Sequence, residues 1–323
     1  MTGSRRTERL SSDAAGVARA AELLGEGELV AFPTETVYGL GAVADRGEAV
    51  ARVFEAKGRP HFNPLIVHVG SIPEARAIGR FDERAERLAA RFWPGPLTLV
   101  LPLVGGSGIS SLVTVGQETV ALRIPAHPTS LALLSAVRRP VAAPSANPSG
   151  RLSPTTADHV LAGLDGRIAA VLDGGPCDVG VESTIVGLAG APTLLRPGGL
   201  AVEAIEAVLG VSLEEPATGG LPVAPGQLAS HYAPRAAVRL DVTRPEPDET
   251  LLGFGDVEAT YNLSRQGDLV EAAARLFDLL HRMDADGVER IAVSPIPAEG
   301  LGLAIRDRLT RAAAPRENPG PPS

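Results

Sequence analysis

The sequence predicts an α/β chain: a twisted mixed sheet with flanking helices, followed by a smaller C-terminal α/β domain. Three observations carry this. Short apolar runs of strand length alternate with amphipathic stretches of helical period. Several runs follow one another with no helix between them, which excludes a regular doubly wound sheet. A stretch rich in Pro, Gly and small residues, Glu214–Pro225, has no periodicity and separates two such regions as a linker.

Arg5, Arg6 and Arg9 precede an Ala-rich stretch broken by Asp13, Arg19 and Glu22. This predicts an amphipathic helix over 12–24, capped by Ser or Asp with Gly25 past its end, and not a signal peptide. Leu29–Phe32 is a buried strand stopped by Pro33. Asp45 is placed to cap a helix carrying Val50, Val53 and Phe54 on one face, ended by Gly58. Leu65–Val69 is a strand, and a charged helix over Asp82–Phe92 stops before Trp93-Pro94-Gly95-Pro96. Strands follow at Leu97–Leu101, Thr119–Arg123, Val141–Ala143, Ala169–Leu172, Thr184–Val186 and Thr193–Leu195, with helices over 128–138 and 155–163. Farther on, Leu251–Phe254 and Arg290–Ser294 are strands. Helices over 267–283 and 300–313 carry apolar stripes such as Leu269, Ala273, Leu276, Phe277 and Leu280. The chain divides into a larger domain 1–208, a linker 209–237, a small domain 238–314 and a disordered tail 315–323.

Composition excludes several classes. At 44% apolar and 21% charged residues the chain is an ordinary globular protein. The net charge of −8 argues against a surface that binds nucleic acid throughout, while leaving a local basic groove open. Cys177 stands alone, so neither an intrachain disulfide nor a cysteine zinc cluster is expected. No apolar run approaches a membrane span, and a cytoplasmic location is expected. Of 30 basic residues, 29 are Arg and one is Lys57. A lone lysine in an arginine-rich chain points to a place where a compact ammonium cannot be exchanged for a planar guanidinium. Chance retention is the alternative. Because Gly58 follows Lys57, no phosphate loop of the G-x-x-x-x-G-K-[ST] type exists.

Polar residues gather at the strand ends of the larger domain. Pro33-Thr34-Glu35-Thr36-Val37-Tyr38-Gly39-Leu40-Gly41 reads as a capped turn or as a small-ligand site to which the glycines admit close backbone approach. Lys57-Gly58-Arg59-Pro60-His61-Phe62-Asn63-Pro64, running on to His68, is a helix end decorated with cations or a rigid polyphosphate clamp. His68, in an apolar strand, reads as a core histidine or a ligand. Thr119, Ala121 and Arg123 share one strand face, and an arginine among apolar neighbours calls for an anion, best a bidentate carboxylate. Ala143-Pro144-Ser145-Ala146-Asn147-Pro148-Ser149-Gly150, followed by Ser153, offers hydroxyls and an amide on a Pro-braced turn. Glu182-Ser183-Thr184 and Arg196-Pro197-Gly198-Gly199 complete the set. No nucleophile elbow or metal-ligand spacing is present.

In this order PTETVYGLG, KGRPHFNPLIVHV, TVALRIP, APSANPSG, ESTIV and LRPGG resemble the YrdC-like L-threonylcarbamoyladenylate synthases over residues 12–208. The remainder is similar to the two-domain form of that family. PGQLASHYAP (Pro225–Pro234) resembles its interdomain linker, and EGLGLAIRDRLTRAA (Glu299–Ala313) the end of its C-terminal domain.

The resemblance implies an enzyme that condenses L-threonine, bicarbonate or CO2, and ATP into threonylcarbamoyl-AMP and pyrophosphate. A tRNA threonylcarbamoyl-transferase complex then uses the product. It implies that Arg123 clamps the threonine carboxylate, with Thr36, His68, Ser183 and the backbone at Ala143 completing that pocket. Lys57, Arg59, Asn63, Thr119, Ser145, Ser153, Arg196 and Tyr232 would hold ATP, Tyr232 reaching back from the linker. Lys57, Arg59, Ser145 and Asn147 would face the reacting groups, and Mg²⁺ would arrive on the ATP phosphates, with no ligand from protein side chains. Three rivals remain: an RNA-binding or ribosome-maturation factor using a basic groove around Lys57, Arg59 and Arg123, a carbamoyl-phosphate-dependent transferase, and a sensor that binds without turnover. The first lacks an aromatic stacking platform. The second usually carries cysteine modules that one Cys forbids.

Overall fold

Asp13 begins the first long helix by accepting a hydrogen bond from Gly16 N at 2.8 Å, and local decisions of this kind set most of the elements. The computed structural model describes residues 6–60, 63–216 and 232–315. His61, Phe62, the linker motif from Pro225 to His231 and the tail beyond Pro315 lie outside the described residues.

The larger region runs β1 (Glu8–Ser11), α1 (Ala14–Glu26), β2 (Val30–Phe32), β3 (Gly39–Val43), α2 (Gly47–Lys57), β4 (Ile66–His68), α3 (Ile72–Ile78) and α4 (Glu83–Phe92). It continues through β5 (Leu97–Pro102), α5 (Ser111–Thr114), β6 (Thr119–Arg123), α6 (Pro128–Val137), β7 (Val141–Ala142) and α7 (Ala157–Leu164). β8 (Ala170–Asp173), β9 (Thr184–Gly187), β10 (Thr193–Arg196) and α8 (Val202–Leu209) end it. Among the described residues its strands form one ten-stranded sheet in the order β1-β8-β2-β3-β7-β4-β6-β5-β9-β10. The pairs β2/β3, β3/β7, β4/β7, β5/β6 and β9/β10 are antiparallel. The pairs β1/β8, β2/β8, β4/β6 and β5/β9 are parallel, so the sheet is mixed as expected. The smaller region holds β11 (Ala237–Arg239), β12 (Thr250–Gly253), β13 (Tyr261–Asn262), α9 (Leu269–Ala285), β14 (Arg290–Val293) and α10 (Leu301–Ala313). Its strands pair in parallel in the order β11-β14-β12-β13.

The approach to α1, to which the sequence assigns no element, is an edge strand, Glu8–Ser11, and Arg9 binds Asp173 and Asp158, both at 2.7 Å. Three local expectations are corrected. α1 runs through Gly25 to Glu26, because the left-handed C-cap is Gly27 at φ 88. Asp45 does not cap α2, whose N-cap is Arg46 with no side-chain bond. The Asp45 carboxylate instead takes the Arg139 guanidinium at 2.9 and 2.5 Å. Gly39 and Gly41, expected in a turn, lie on β3. A Cβ at Gly41 would stand 2.9 Å from the Phe32 ring, so the missing side chain lets strand and ring meet.

Each region has its own apolar core, yet the second core includes Val37, Leu152 and Val181 from the larger region. Gly180, at φ 74, brings the backbone so close to α9 that a Cβ would lie 2.4 Å from Ala273 O. Nε2 of His281 on α9 lies 3.1 Å from Ser153 O, and its ring stacks on His159 of α7 with centroids 3.9 Å apart. The two regions therefore meet beside the strand ends where the polar motifs collect.

Candidate active site

The exits of β2, β4, β6 and β7, the start of β9 and the end of β10 converge on one concave pocket, the kind of place small-molecule sites occupy. Thr36, His68, Arg123, Ala143 and Ser183 line one part of it. Arg59, Ser145, Arg196 and Tyr232 line it as well.

Arg123 ends β6 on the face that the two-residue strand period assigns it, and it is buried. Its Nη1 donates to Thr36 Oγ1 at 2.9 Å and its Nε to Gly95 O at 3.2 Å. The anion that a buried arginine demands is Glu35, whose Oε1 lies 2.7 Å from Nη2. The other carboxylate oxygen of Glu35 accepts from Ala126 N at 3.1 Å. Thr34 Oγ1 lies 2.8 Å from Thr36 Oγ1 and donates to Val37 O, which fixes the Thr36 hydroxyl. Burial, and then the charge of Arg123, pushes His68 down to about 3. The ring is therefore neutral at physiological pH. It stands edge-on to Phe32, and its Nδ1 has no hydrogen-bond partner.

On the other side, burial lowers Arg59 to about 10, and its guanidinium is anchored on Asn63 O at 3.3 Å and Pro64 O at 3.0 Å. Arg196 reaches Ser183 O at 2.8 Å and Ser183 Oγ at 3.2 Å, while that hydroxyl also meets Thr98 Oγ1 at 2.7 Å. Tyr232 is buried with a left-handed backbone, φ 61, a costly conformation for a tyrosine.

Lys57, Asn63, Thr119, Asn147 and Ser153 do not line the cavity. Lys57 ends α2 under the left-handed Gly58 cap and is buried. Its ammonium donates to Ser145 O and Asn147 O, both at 2.5 Å. Burial, then Arg59, holds it well below the usual lysine range. The lysine thus braces the turn that carries Ser145, where the sequence suggested a direct phosphate contact. Asn147 bonds Pro148 O and Arg151 O, both at 2.9 Å. Asn63 is buried with both amide atoms unpaired, a desolvation cost that a ligand would relieve. Thr119 opens β6, at the strand's opposite end from Arg123. The basic groove pictured for RNA is also absent as a surface: Lys57, Arg59 and Arg123 are 3%, 6% and 4% exposed, which suits small anions and not a strand.

Two residues outside the expected set complete the site. Glu182 lines the cavity, and its carboxylate accepts from Ser153 Oγ and from Arg308 Nε, the latter at 2.7 Å. Arg308 comes from α10. Its signal in the sequence is an arginine on a helix face shared with Ala304, Ile305 and Ala312. Burial favours protonation of Glu182, but Arg308 and then Arg196 overcome it and hold the carboxyl down at about 2. A folded pKa below the unfolded one adds stability that is present above the ordinary glutamate range and is lost as pH falls toward 2. The urea midpoint of Glu182→Gln is expected to fall less than the parent's between about pH 5 and about pH 3. Parallel slopes for the two proteins would deny Glu182 that part in acid lability.

The Sua5/YciO/YrdC family model, described as "Telomere recombination", matches residues 22–198. The model described as "Threonylcarbamoyl-AMP synthase, C-terminal domain" matches residues 200–314. The chain belongs to the two-domain Sua5/YrdC family. A relative in that family, the threonylcarbamoyl-AMP synthase of Bacillus subtilis (strain 168), is 43% identical, with 96% of each chain covered. The threonylcarbamoyl-AMP synthase of Pyrococcus abyssi is 45% identical over 92% of this chain and 94% of that one. The crystal structure of P. abyssi Sua5 complexed with L-threonine aligns at a TM-score of 0.87 and 40% identity, covering 95% of this chain and 97% of that chain. Among the described residues of this chain, no helix is long and apolar enough to cross a membrane.

Proposed function

We propose that the chain is an L-threonylcarbamoyladenylate synthase, a nucleotidyltransferase that makes threonylcarbamoyl-AMP and pyrophosphate for tRNA modification. The observation that carries this reading is one cavity holding two separate anion seats. Arg123 with Thr36 forms one, and Arg59 with Arg196 forms the other, beside Tyr232. An amino acid carboxylate and a nucleotide polyphosphate are the anions these seats suit.

In the reaction the threonine amine attacks the carbon of CO2 and sheds a proton, or attacks that of bicarbonate, the amine proton leaving with hydroxide as water. A carbamate oxygen then attacks the α-phosphorus, and the bond to the β-phosphate breaks to release pyrophosphate. The protein's part is to position the groups and stabilise charge. Arg123 would take the threonine carboxylate, sharing or displacing Glu35. Thr36, Ser183 and the Ala143 backbone would fix the amino acid, and the neutral His68 would add no charge beside the amine. Arg59, Arg196 and the turn braced by Lys57 would oppose the phosphates. Ser145 on the cavity wall, with Asn63, Thr119 and Ser153 behind it, would complete the nucleotide set, Asn147 would stand by the reacting groups, and Tyr232 would cover the nucleotide. Glu182 on the cavity wall and Glu35 behind Arg123 are each engaged by an arginine, and this donor set fits magnesium carried on the ATP phosphates and not caged by protein. We assign residues 1–208 as the catalytic domain, 209–237 as the linker crossing the site and 238–314 as the C-terminal domain. The protein would act in the cytoplasm, and its labile mixed anhydride would pass to a tRNA threonylcarbamoyl-transferase complex.

Pyrophosphate release from Mg-ATP by purified protein tests the reading. Release that needs both L-threonine and bicarbonate is expected, with a threonine-containing adenylate as product. Release without threonine, or tight binding of both ligands without release, would overturn it.

A further inference from the structure

We propose that Arg308, in the C-terminal region, is a positioning residue for the nucleotide half of the cavity and acts through Glu182. This deepens the synthase reading and rests on it. Arg308 is 1% exposed on α10, among Ala304, Ile305, Leu309 and Ala312. A guanidinium in such a place is costly unless its partners are well placed. Those partners belong to the larger region. Nε meets Glu182 Oε2 at 2.7 Å, and Nη1 meets Pro197 O at 2.8 Å as well as the adjacent Asp307 at 2.6 Å. The guanidinium carbon also lies 5.1 Å from the centroid of the Tyr232 ring, a cation–π distance.

Each contact adjoins a nucleotide candidate. Glu182 precedes Ser183 and binds the Ser153 hydroxyl. Pro197 follows Arg196, and Tyr232 is itself a candidate. A carboxylate only accepts, so Ser153 must donate to Glu182, and the Ser153 oxygen is left with acceptor capacity alone. A ribose hydroxyl or a base amino group can answer it. Arg308 also keeps Glu182 from competing with the substrate. The other arginine acting on Glu182 is Arg196, and without Arg308 the carboxylate would be drawn to it. Arg196 would then hold a protein carboxylate in place of a phosphate. The threonine seat touches this network only at Ser183, whose carbonyl and hydroxyl Arg196 holds; its carboxylate clamp, Arg123, is held by Thr36, Glu35 and Gly95.

The test uses the full chain with Arg308→Met, Arg308→Lys, Glu182→Gln and the double variant Glu182→Gln/Arg308→Met. Pyrophosphate release gives KM for ATP and for threonine separately, and calorimetry gives threonine binding without ATP. Arg308→Met is expected to raise the ATP KM about tenfold or more while moving the threonine KM less than about twofold. Arg308→Lys, which keeps the charge but loses the fork, should recover part of the loss. The double variant should be no worse than Arg308→Met, because both changes act on one carboxylate. Equal shifts in the two KM values, an unchanged ATP KM in folded Arg308→Met, or multiplicative losses in the double variant would overturn the proposal. If Arg308→Met does not fold, the double variant leaves no lone buried charge and is compared with Glu182→Gln. An equal ATP KM supports the proposal, and a further rise refutes it. Should the parent release no pyrophosphate, the synthase reading fails instead, and calorimetric ATP affinity of the same variants still decides the role of Arg308.

Discussion

Arg123→Ala is expected to weaken L-threonine binding about a hundredfold or more while changing ATP affinity less than about threefold. The asymmetry follows from the wiring of the guanidinium. Its three nitrogens are committed to Thr36, Gly95 and Glu35, all on the amino-acid side of the cavity. Truncation removes the guanidinium paired with Glu35 and leaves a buried carboxylate beside the seat that a second carboxylate must enter. Breaking a buried pair on one side costs about 3–5 kcal/mol in comparable cases, so the variant should also unfold earlier. Calorimetry with each ligand alone, on protein shown to be folded, separates the two effects. Equal losses for threonine and ATP would mean that Arg123 supports the cavity wall and does not clamp the amino acid. Arg123→Lys should stay closer to the alanine variant than to the parent, because an ammonium cannot meet a threonine hydroxyl and a carboxylate with one rigid fork.

How much of this was legible in the sequence depends on range. β6 is found at the residues its alternation and β-branched content indicate, and the Gly58 and Trp93 ends of α2 and α4 follow from local chemistry. Both long C-terminal helices appear where their apolar stripes lie. β1 was missed because an exposed edge strand carries no apolar alternation. β3 was missed because it is buried throughout and begins with glycines that resemble a turn. Of the residues the sequence singles out, Thr36, His68, Arg123, Ser145, Ser183 and Arg196 line the cavity, and each sits inside a short motif at a strand end. The pairings that give those residues their properties were not legible. Lys57 meets carbonyls 88 and 90 residues away, and Arg308 meets a carboxylate 126 residues away. Strand period and helix spacing fix a face. They say nothing about which distant group waits there.

Lys57→Met is expected to lower turnover by an order of magnitude or more and to lower stability by about 2–4 kcal/mol. The side chain is nearly isosteric, so the change removes the charge and both hydrogen bonds without opening a large void. Ser145 O and Asn147 O would then be left as buried acceptors without their donor, and the turn carrying Ser145 into the cavity would lose its brace. Lys57→Arg is the sharper variant, because it asks why one lysine persists in a chain with 29 arginines. The ammonium sits between two carbonyls at 2.5 Å in a buried pocket, already disfavoured by desolvation and by Arg59. A planar guanidinium is larger and cannot converge on both carbonyls from one point, and overpacking of a tight interior costs about 1–3 kcal/mol. Lys57→Arg should therefore resemble Lys57→Met in pyrophosphate turnover and in urea midpoint. If it matched the parent in both, the single lysine would be an accident of composition, and the turn would need no compact cation.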